Sequence, residues 1–262
     1  MSTVVFLGGG RITSAMLAGL RLSRTNDRLL VHDRNPAKLR RVMKSYGVAI
    51  EPNLQRAVAE ADLLIVAVRP DSVRELLQAL GKVKRPLVAI SLAAGVPLQK
   101  LKAAFGVPVR WSRAMPSPAC RSGRGLTALT FSREVLPRDR KRVWEFFSRF
   151  GQALEIPERK FDAFTVVFSP SHGFHALATL SEAAERMGLD RNTALLASAH
   201  ALADSISAWR EDKQSLPSML EEAATPGGIA AATTTGMDAA GYRRAVLRGV
   251  MDGLRRARAN AR

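Results

Sequence analysis

Across the first 160 residues, short runs of consecutive apolar residues alternate with stretches whose apolar positions recur every three or four residues. Val4-Val5-Phe6-Leu7, Leu29-Leu30-Val31-His32, Leu63-Leu64-Ile65-Val66-Ala67-Val68 and Leu87-Val88-Ala89-Ile90-Ser91 are runs of strand length with no polar alternation. That is the pattern of parallel strands covered on both faces. Between them, residues 12–21, 36–46, 54–61 and 71–80 carry helical spacing. The alternation predicts an α/β fold with a doubly wound parallel sheet. Apolar runs near 107–113 and 126–131 extend the sheet, and a helix over 138–150 with a short segment at 152–156 closes the domain.

After Glu158-Arg159-Lys160 the composition turns to alanine, and residues 161–187, 191–207, 216–223 and 242–258 read as helices with no strand between them. Ser169-Pro170-Ser171 predicts a kink in the first of these, Pro217 suits a first turn, and Thr225-Pro226-Gly227-Gly228 separates two helical patterns. The expected division is therefore an α/β domain over 1–158 and an all-α domain over 159–262. Alanine-lined faces with few large apolar residues predict that the second domain completes its core against another copy, giving a homodimer or higher homo-oligomer.

Composition narrows the class. The chain has 262 residues, 47% of them hydrophobic and 24% charged, enough to bury a sizeable core. No apolar run approaches the roughly 20 residues of a membrane helix, so no membrane role is expected. The N-terminal apolar run leads straight into glycines, as a buried strand and its turn would rather than a signal peptide, and a cytoplasmic location follows as the expectation. Cys120 is the single cysteine, which excludes an internal disulfide and an all-cysteine metal site. No histidine and carboxylate spacing suggests a metal. The formal net charge of +17 invites a nucleic-acid reading. However, the basic residues are scattered, from Arg21, Arg24 and Arg28 to a tail of Arg255, Arg256, Arg258 and Arg262, and aromatics are only 6%. No nucleic-acid role is expected; such a charge attracts anionic small molecules.

The candidate chemistry begins at Gly8-Gly9-Gly10-Arg11-Ile12-Thr13, between the first strand and its helix. Gly8 permits a tight turn, and Gly10 lets a pyrophosphate approach the helix N-terminus, with Arg11 and Ile12 opening the helix. This predicts a Rossmann-type dinucleotide-binding domain. Thr13 stands where the fingerprint prefers Gly or Ala, and a branched residue there holds the helix further from the strand. About 20 residues beyond the glycines, the second strand ends in His32-Asp33-Arg34. Asp33 there would favour NAD through a ribose hydroxyl, or cap the following helix. Arg34, with Arg11 a loop away, favours NADP. The expected cofactor is NADP (NADPH), with NAD possible.

Several motifs resemble the pyrroline-5-carboxylate reductase family over nearly the whole length. They are Phe6-Leu7-Gly8-Gly9-Gly10, Asp33-Arg34-Asn35-Pro36-Ala37-Lys38-Leu39, Ala67-Val68-Arg69-Pro70, Ser91-Leu92-Ala93-Ala94-Gly95-Val96 and Arg113-Ala114-Met115-Pro116. Asp162, Glu182-Ala183, Gly188-Leu189 and Pro226-Gly227-Gly228 follow in the family's order. The resemblance implies reduction of a cyclic imine, 1-pyrroline-5-carboxylate, to L-proline by hydride transfer. It also implies that Val68, Arg69, Pro70, Ala93 and Ala94 flank the cofactor's ribose and nicotinamide, and that Met115 and Pro116 pack near the nicotinamide. A substrate loop over Thr225, Pro226, Gly227, Gly228, Ile229 and Ala230 would come from the partner subunit.

Departures from the family concentrate around the substrate. Ser117-Pro118-Ala119 replaces N-T-P, Ser169-Pro170-Ser171-His172-Gly173 replaces G-S-G-P-A, and Ile229-Ala230 stand where the family has T-T. Thr233, Thr234 and Thr235 cannot slide into register, so the family's hydroxyl is missing. Ser171 or His172 is the candidate to supply the lost polar contact, the alternative for His172 being a residue at a helix kink or interface. Two other readings stay open. The scaffold reduces a different imine or carbonyl, with Phe168, Ile229 and Ala230 making a more apolar pocket, or it is a non-catalytic nucleotide-binding paralogue.

Overall fold

Eight strands form one sheet, and their order explains how the chain builds a binding edge. They are β1 (Thr3–Leu7), β2 (Arg28–His32), β3 (Ala49–Ile50), β4 (Leu63–Val66), β5 (Leu87–Ser91), β6 (Val109–Pro116), β7 (Gly125–Phe131) and β8 (Gly151–Glu155). The sheet runs β3-β2-β1-β4-β5-β6-β7-β8. Neighbours are parallel except β6 and β7. From β1 the chain first builds outward through β2 and β3, then crosses to β4 on the other side. The switch point between β1 and β4 is where open α/β sheets bind their ligands. This computed structural model describes residues 2–212 and 214–260; Arg262 of the basic tail lies outside them.

Two apolar clusters show that the winding is double. Val4, Phe6, Val31, Ile65 and Ile90 point to one face, against Met16, Leu17 and Leu20 of α1 (Arg11–Leu22) and Leu39 and Val42 of α2 (Pro36–Tyr46). Phe146, Phe147 and Phe150, from α6 (Pro137–Ser148) and the turn after it, complete that face. Val5, Leu7, Leu64, Val66 and Ala89 point to the other, against α3 (Leu54–Glu60), α4 (Val73–Leu80) and α5 (Leu98–Ala104). Adjacent strand residues thus serve opposite cores, which is why the strands carry no polar alternation.

Some elements differ from the sequence expectation. Residues 152–156 fall mainly in strand β8, paired parallel to β7. The third apolar run stops being strand at Val66, because Ala67 and Val68 turn past the glycine loop. Neither β3 nor α5 was anticipated; the first has two residues, and the second is anchored by Leu98 and Leu101 alone, too short for a period to show. The sheet is not wholly parallel, since β6 and β7 form a hairpin around a short 3-10 turn, Pro118–Ser122. That turn packs on α1 so closely that a Cβ on Gly19 would lie 2.2 Å from the Cys120 carbonyl oxygen. The expected kinked helix over 161–187 is two helices, α7 (Glu158–Val167) and α8 (Ser171–Arg186). Pro170 cannot donate the backbone hydrogen bond that would join them.

The chain packs as two units, Met1–Phe168 with Gly253–Arg262, and Ser169–Asp252. The division expected from the sequence falls after 158, whereas packing breaks after Phe168, because α7 packs against β7. The second unit holds α8, α9 (Arg191–Glu211), α10 (Leu216–Ala223), α11 (Ile229–Ala239) and the first part of α12 (Tyr242–Ala259). Only Ser181, Ala184, Ala194 and Ser198 are buried among its described residues. All four are small, and all lie in the α8–α9 hairpin. Phe174, Leu196, Trp209 and Leu247 stay exposed. The last turns of α12 pack within the first unit: a Cβ on Gly95 would sit 2.2 Å from the Ala257 carbonyl, and one on Gly253 would sit 2.8 Å from Val166.

Candidate active site

At the end of β1 the chain turns on Gly8, whose φ of +114° is a conformation that other residues rarely adopt. A Cβ there would also lie 2.6 Å from the Ala67 carbonyl oxygen. Its neighbours fix the turn. The Gly8 N–H donates to the His32 carbonyl at 2.7 Å and the Gly9 N–H to Asp33 Oδ2 at 2.8 Å, while Arg41 donates to the Gly9 carbonyl at 3.1 Å. Thr13 fits because its hydroxyl donates to the Gly8 carbonyl at 2.5 Å, so the branched residue ties helix to turn instead of prising them apart.

Gly10 is different. It has an ordinary φ of −80°, and a Cβ on it would meet nothing within 4 Å. The protein's own atoms therefore do not require a glycine there. Gly10 caps α1 without a side-chain bond, and the first helical hydrogen bond runs from the Ser14 N–H to the Gly10 carbonyl. The N–H groups of Arg11, Ile12 and Thr13 lie in the first turn of α1, where a helix leaves its N–H groups without intrahelical partners at the positive end of its dipole. A dinucleotide's pyrophosphate fits this cradle.

The loop after β2 departs from one expectation. Asp33 does not cap α2; Asn35 does, its side chain accepting from the Ala37 N–H at 2.9 Å. Asp33 is buried, with its oxygens taken up by the N–H groups of Gly9 and Asn35 and by Lys38 Nζ at 3.7 Å. Arg34 is exposed and pairs with Glu75 at 3.2 Å. Arg11 is exposed at the first position of α1. Lys38 and Arg41 were not singled out as site residues from the sequence. Their positions on α2 carried the signal, since each lies within one or two turns of the β2 end.

The remaining cofactor candidates lie at the same edge. Val68, Arg69 and Pro70 follow β4, Ala93 and Ala94 follow β5, and Met115 and Pro116 end β6, all parallel to β1. Arg69 is exposed, and Ala93 is buried with its N–H on Ser91 Oγ at 3.3 Å. Asn260 donates to the Ala94 carbonyl at 3.3 Å. Beneath Met115, Arg113 is 1% exposed and bonds to Glu158 at 2.9 Å and Asp162 at 3.0 Å, with its guanidinium 4.4 Å from the Phe161 ring centroid. Glu158 also accepts from the Leu98 N–H. This buried cluster joins β6, α5 and α7, and it was not read from the sequence as a site feature. Cys120 is buried, which pushes its thiol up to about 11.

In the helical unit, Ser171 opens α8 with its hydroxyl 2.7 Å from that of Ser169, and the His172 N–H donates to the Ser169 carbonyl. Both residues are exposed. The Thr225–Gly228 segment closes on itself through the Gly228 N–H and the Thr225 carbonyl at 2.9 Å, with Gly227 at φ +77° and Pro226 exposed between them. Gly228 caps α11 without a side-chain bond. Ile229 is 89% exposed, and Ala230 is exposed beside it. The hydroxyls of Thr233 and Thr234 bond back to the carbonyls of Ile229 and Ala230, so they do not stand in for the missing threonine. No helix among the described residues is long and apolar enough to cross a membrane.

Comparison with known proteins agrees in both halves. Residues 3–95 match a family model described as NADP oxidoreductase, coenzyme F420-dependent, and residues 158–260 match one described as pyrroline-5-carboxylate reductase dimerisation. A Mycobacterium tuberculosis pyrroline-5-carboxylate reductase is 30% identical over 275 residues, covering 94% of this chain and 92% of its own. One from Synechocystis is 29% identical and covers 95% of each chain. In fold, the chain resembles the Streptococcus pyogenes 1-pyrroline-5-carboxylate reductase with a TM-score of 0.90 at 23% identity, covering 98% of each chain. It resembles the Plasmodium falciparum pyrroline carboxylate reductase, solved with NADP bound, with a TM-score of 0.89 at 20% identity, covering 100% of this chain and 98% of that one.

Proposed function

The chain belongs to the pyrroline-5-carboxylate reductase family, and from that premise we propose that it reduces 1-pyrroline-5-carboxylate to L-proline with NADPH as its preferred cofactor. The observation that carries the cofactor reading is the clear space above Gly10, which the protein's own packing leaves open at an uncapped helix N-terminus. The first-turn N–H groups of α1 would hold the pyrophosphate. Arg34, with Lys38 behind it, would hold a 2′-phosphate. Asp33 supports the phosphate over the bare ribose, since its carboxylate is already occupied by two backbone N–H groups. Val68, Arg69, Pro70, Ala93 and Ala94 would flank the ribose and nicotinamide, and Met115 and Pro116 would support that ring. When bound, the reduced nicotinamide supplies the hydride that the imine carbon accepts.

The chain's own part in the chemistry is to bind and orient the protonated imine. The N–H groups at the start of α11, behind Gly227 and Gly228, would receive the substrate carboxylate, a contact that needs no side chain. His172 or Ser171 would hydrogen-bond the ring nitrogen in place of the family's threonine, orienting the imine and stabilising its charge. The exposed apolar residues of the helical unit would be covered by a second copy, and the enzyme would work as a homodimer or larger assembly in the cytoplasm.

Oxidation of NADPH and NADH by the purified protein with pyrroline-5-carboxylate, at matched cofactor concentrations, tests this. Turnover with NADPH ahead of NADH is expected. Cofactor binding without turnover on this substrate would overturn it. Ile229 favours a second reading, because an exposed branched apolar side chain heads the loop where the family places a hydroxyl. On that reading a panel of larger, uncharged imines and carbonyls would be turned over in preference to pyrroline-5-carboxylate.

A further inference from the structure

We propose that Glu75 sets how strongly this protein prefers a cofactor with a 2′-phosphate, by competing with that phosphate for Arg34. The inference rests on the dinucleotide reading above and concerns a residue outside the glycine turn. Arg34 sits on the loop after β2, and Glu75 lies in the first turn of α4, beyond β4. Because β2 and β4 flank β1 in the sheet, the ion pair reaches across the end of β1, where the glycine turn stands. Nη1 of Arg34 lies 3.2 and 3.3 Å from the two Glu75 carboxylate oxygens. The guanidinium that would meet the 2′-phosphate therefore already has an anion on it.

Exposure makes this pair exchangeable. The two side chains are 74% and 71% exposed, and such pairs contribute little because water and salt screen them. The neighbouring pair behaves differently. Lys38 faces Asp33, but that carboxylate is only 7% exposed and is anchored by the N–H groups of Gly9 and Asn35. Of the two acids facing the cations at the β2 end, Glu75 is the one that a phosphate can displace. A phosphate that takes Arg34 must both break this pair and accept a carboxylate nearby, whereas a cofactor with a free ribose hydroxyl leaves the pair intact. Glu75 thus lowers affinity for the phosphorylated cofactor selectively.

Calorimetric titration of the full chain with NADP+ and with NAD+ at low ionic strength tests this on wild type, Glu75→Gln, Arg34→Ala and the double variant. Glu75→Gln keeps the side-chain size and removes the charge. NADP+ should bind about two- to five-fold more tightly to it, the size of an exposed ion pair, with NAD+ unchanged. The gain should vanish in the Arg34→Ala background and shrink at high salt. Unchanged or weaker NADP+ binding, or an equal gain for NAD+, would overturn the role of Glu75 while leaving the dinucleotide site standing. A wild-type protein that binds neither nucleotide would overturn that underlying reading, and this inference with it.

Discussion

Gly8 and Gly10 belong to one motif but answer to different constraints, and substitution should separate them. Alanine at Gly8 must adopt φ +114° and place a Cβ 2.6 Å from the Ala67 carbonyl. Gly8→Ala should cost at least about 2 kcal/mol of stability as well as cofactor binding, which chemical denaturation would measure. At Gly10 a side chain meets nothing. Gly10→Asp should leave the melting temperature unchanged and weaken NADPH binding more than about tenfold, through repulsion of the pyrophosphate. Equal destabilisation by both would show that Gly10 is structural. The motif itself was legible in the sequence. The difference between its glycines was not, because it depends on Ala67, which lies in the turn just after β4 and is 59 positions from Gly8.

At the scale of elements, the joint between β6 and α7 and the start of α11 matter most. Arg113 is buried against two carboxylates that keep part of their exposure, 34% for Glu158 and 23% for Asp162. Arg113→Ala strands both acids and should destabilise the fold by about 3 kcal/mol, the lower end for a broken buried pair, visible as a lower unfolding midpoint. The sequence placed Arg113 and Asp162 in family motifs but gave no sign that they touch, since 49 positions separate them. At α11, Ile229→Thr returns a hydroxyl to the head of the helix on a fully accessible position, so stability should hold. If the substrate is pyrroline-5-carboxylate, kcat/KM should rise by about 10²-fold, the lower range for a positioned proton donor. No rise would place the compensating group elsewhere, with His172 and Ser171 the first to replace.

For the whole molecule, the helical unit has too little core of its own. Small residues fill the α8–α9 contact, α10 and α11 bury nothing, and Leu196, Trp209 and Leu247 lie open. Leu247→Glu, at a position 64% exposed in this chain, should convert a dimer into monomer by sedimentation and reduce turnover with it. A variant that stays dimeric would place the interface on another face.

Acid should also act on the whole fold. Burial pushes the Asp27 carboxyl up, but the bond and charge of Arg149 with the N–H of Ser2 and the hydroxyl of Thr25 outweigh it and hold it below 3.8. Lys102 holds Glu134 down at about 2. Both carboxyls titrate lower folded than unfolded, so their stabilisation is complete above pH about 4.5 and is lost as pH falls from there towards about 2. Melting temperature should decline over that window, and Asp27→Asn should flatten its lower part below about 3.8.

By itself the sequence determined the alternation of strands and helices, the glycine turn and the break into an alanine-rich half, because each is written in neighbouring residues. Local pattern sets backbone preference, and preference needs no distant partner. Tertiary structure alone decided that Asp33 braces Gly9 rather than capping a helix, that Arg34 already carries Glu75, and that residues 151–155 pair as a strand. Each of these is a contact between segments far apart in the chain, and a burial or a charge pair exists only once the sheet order has brought both sides together.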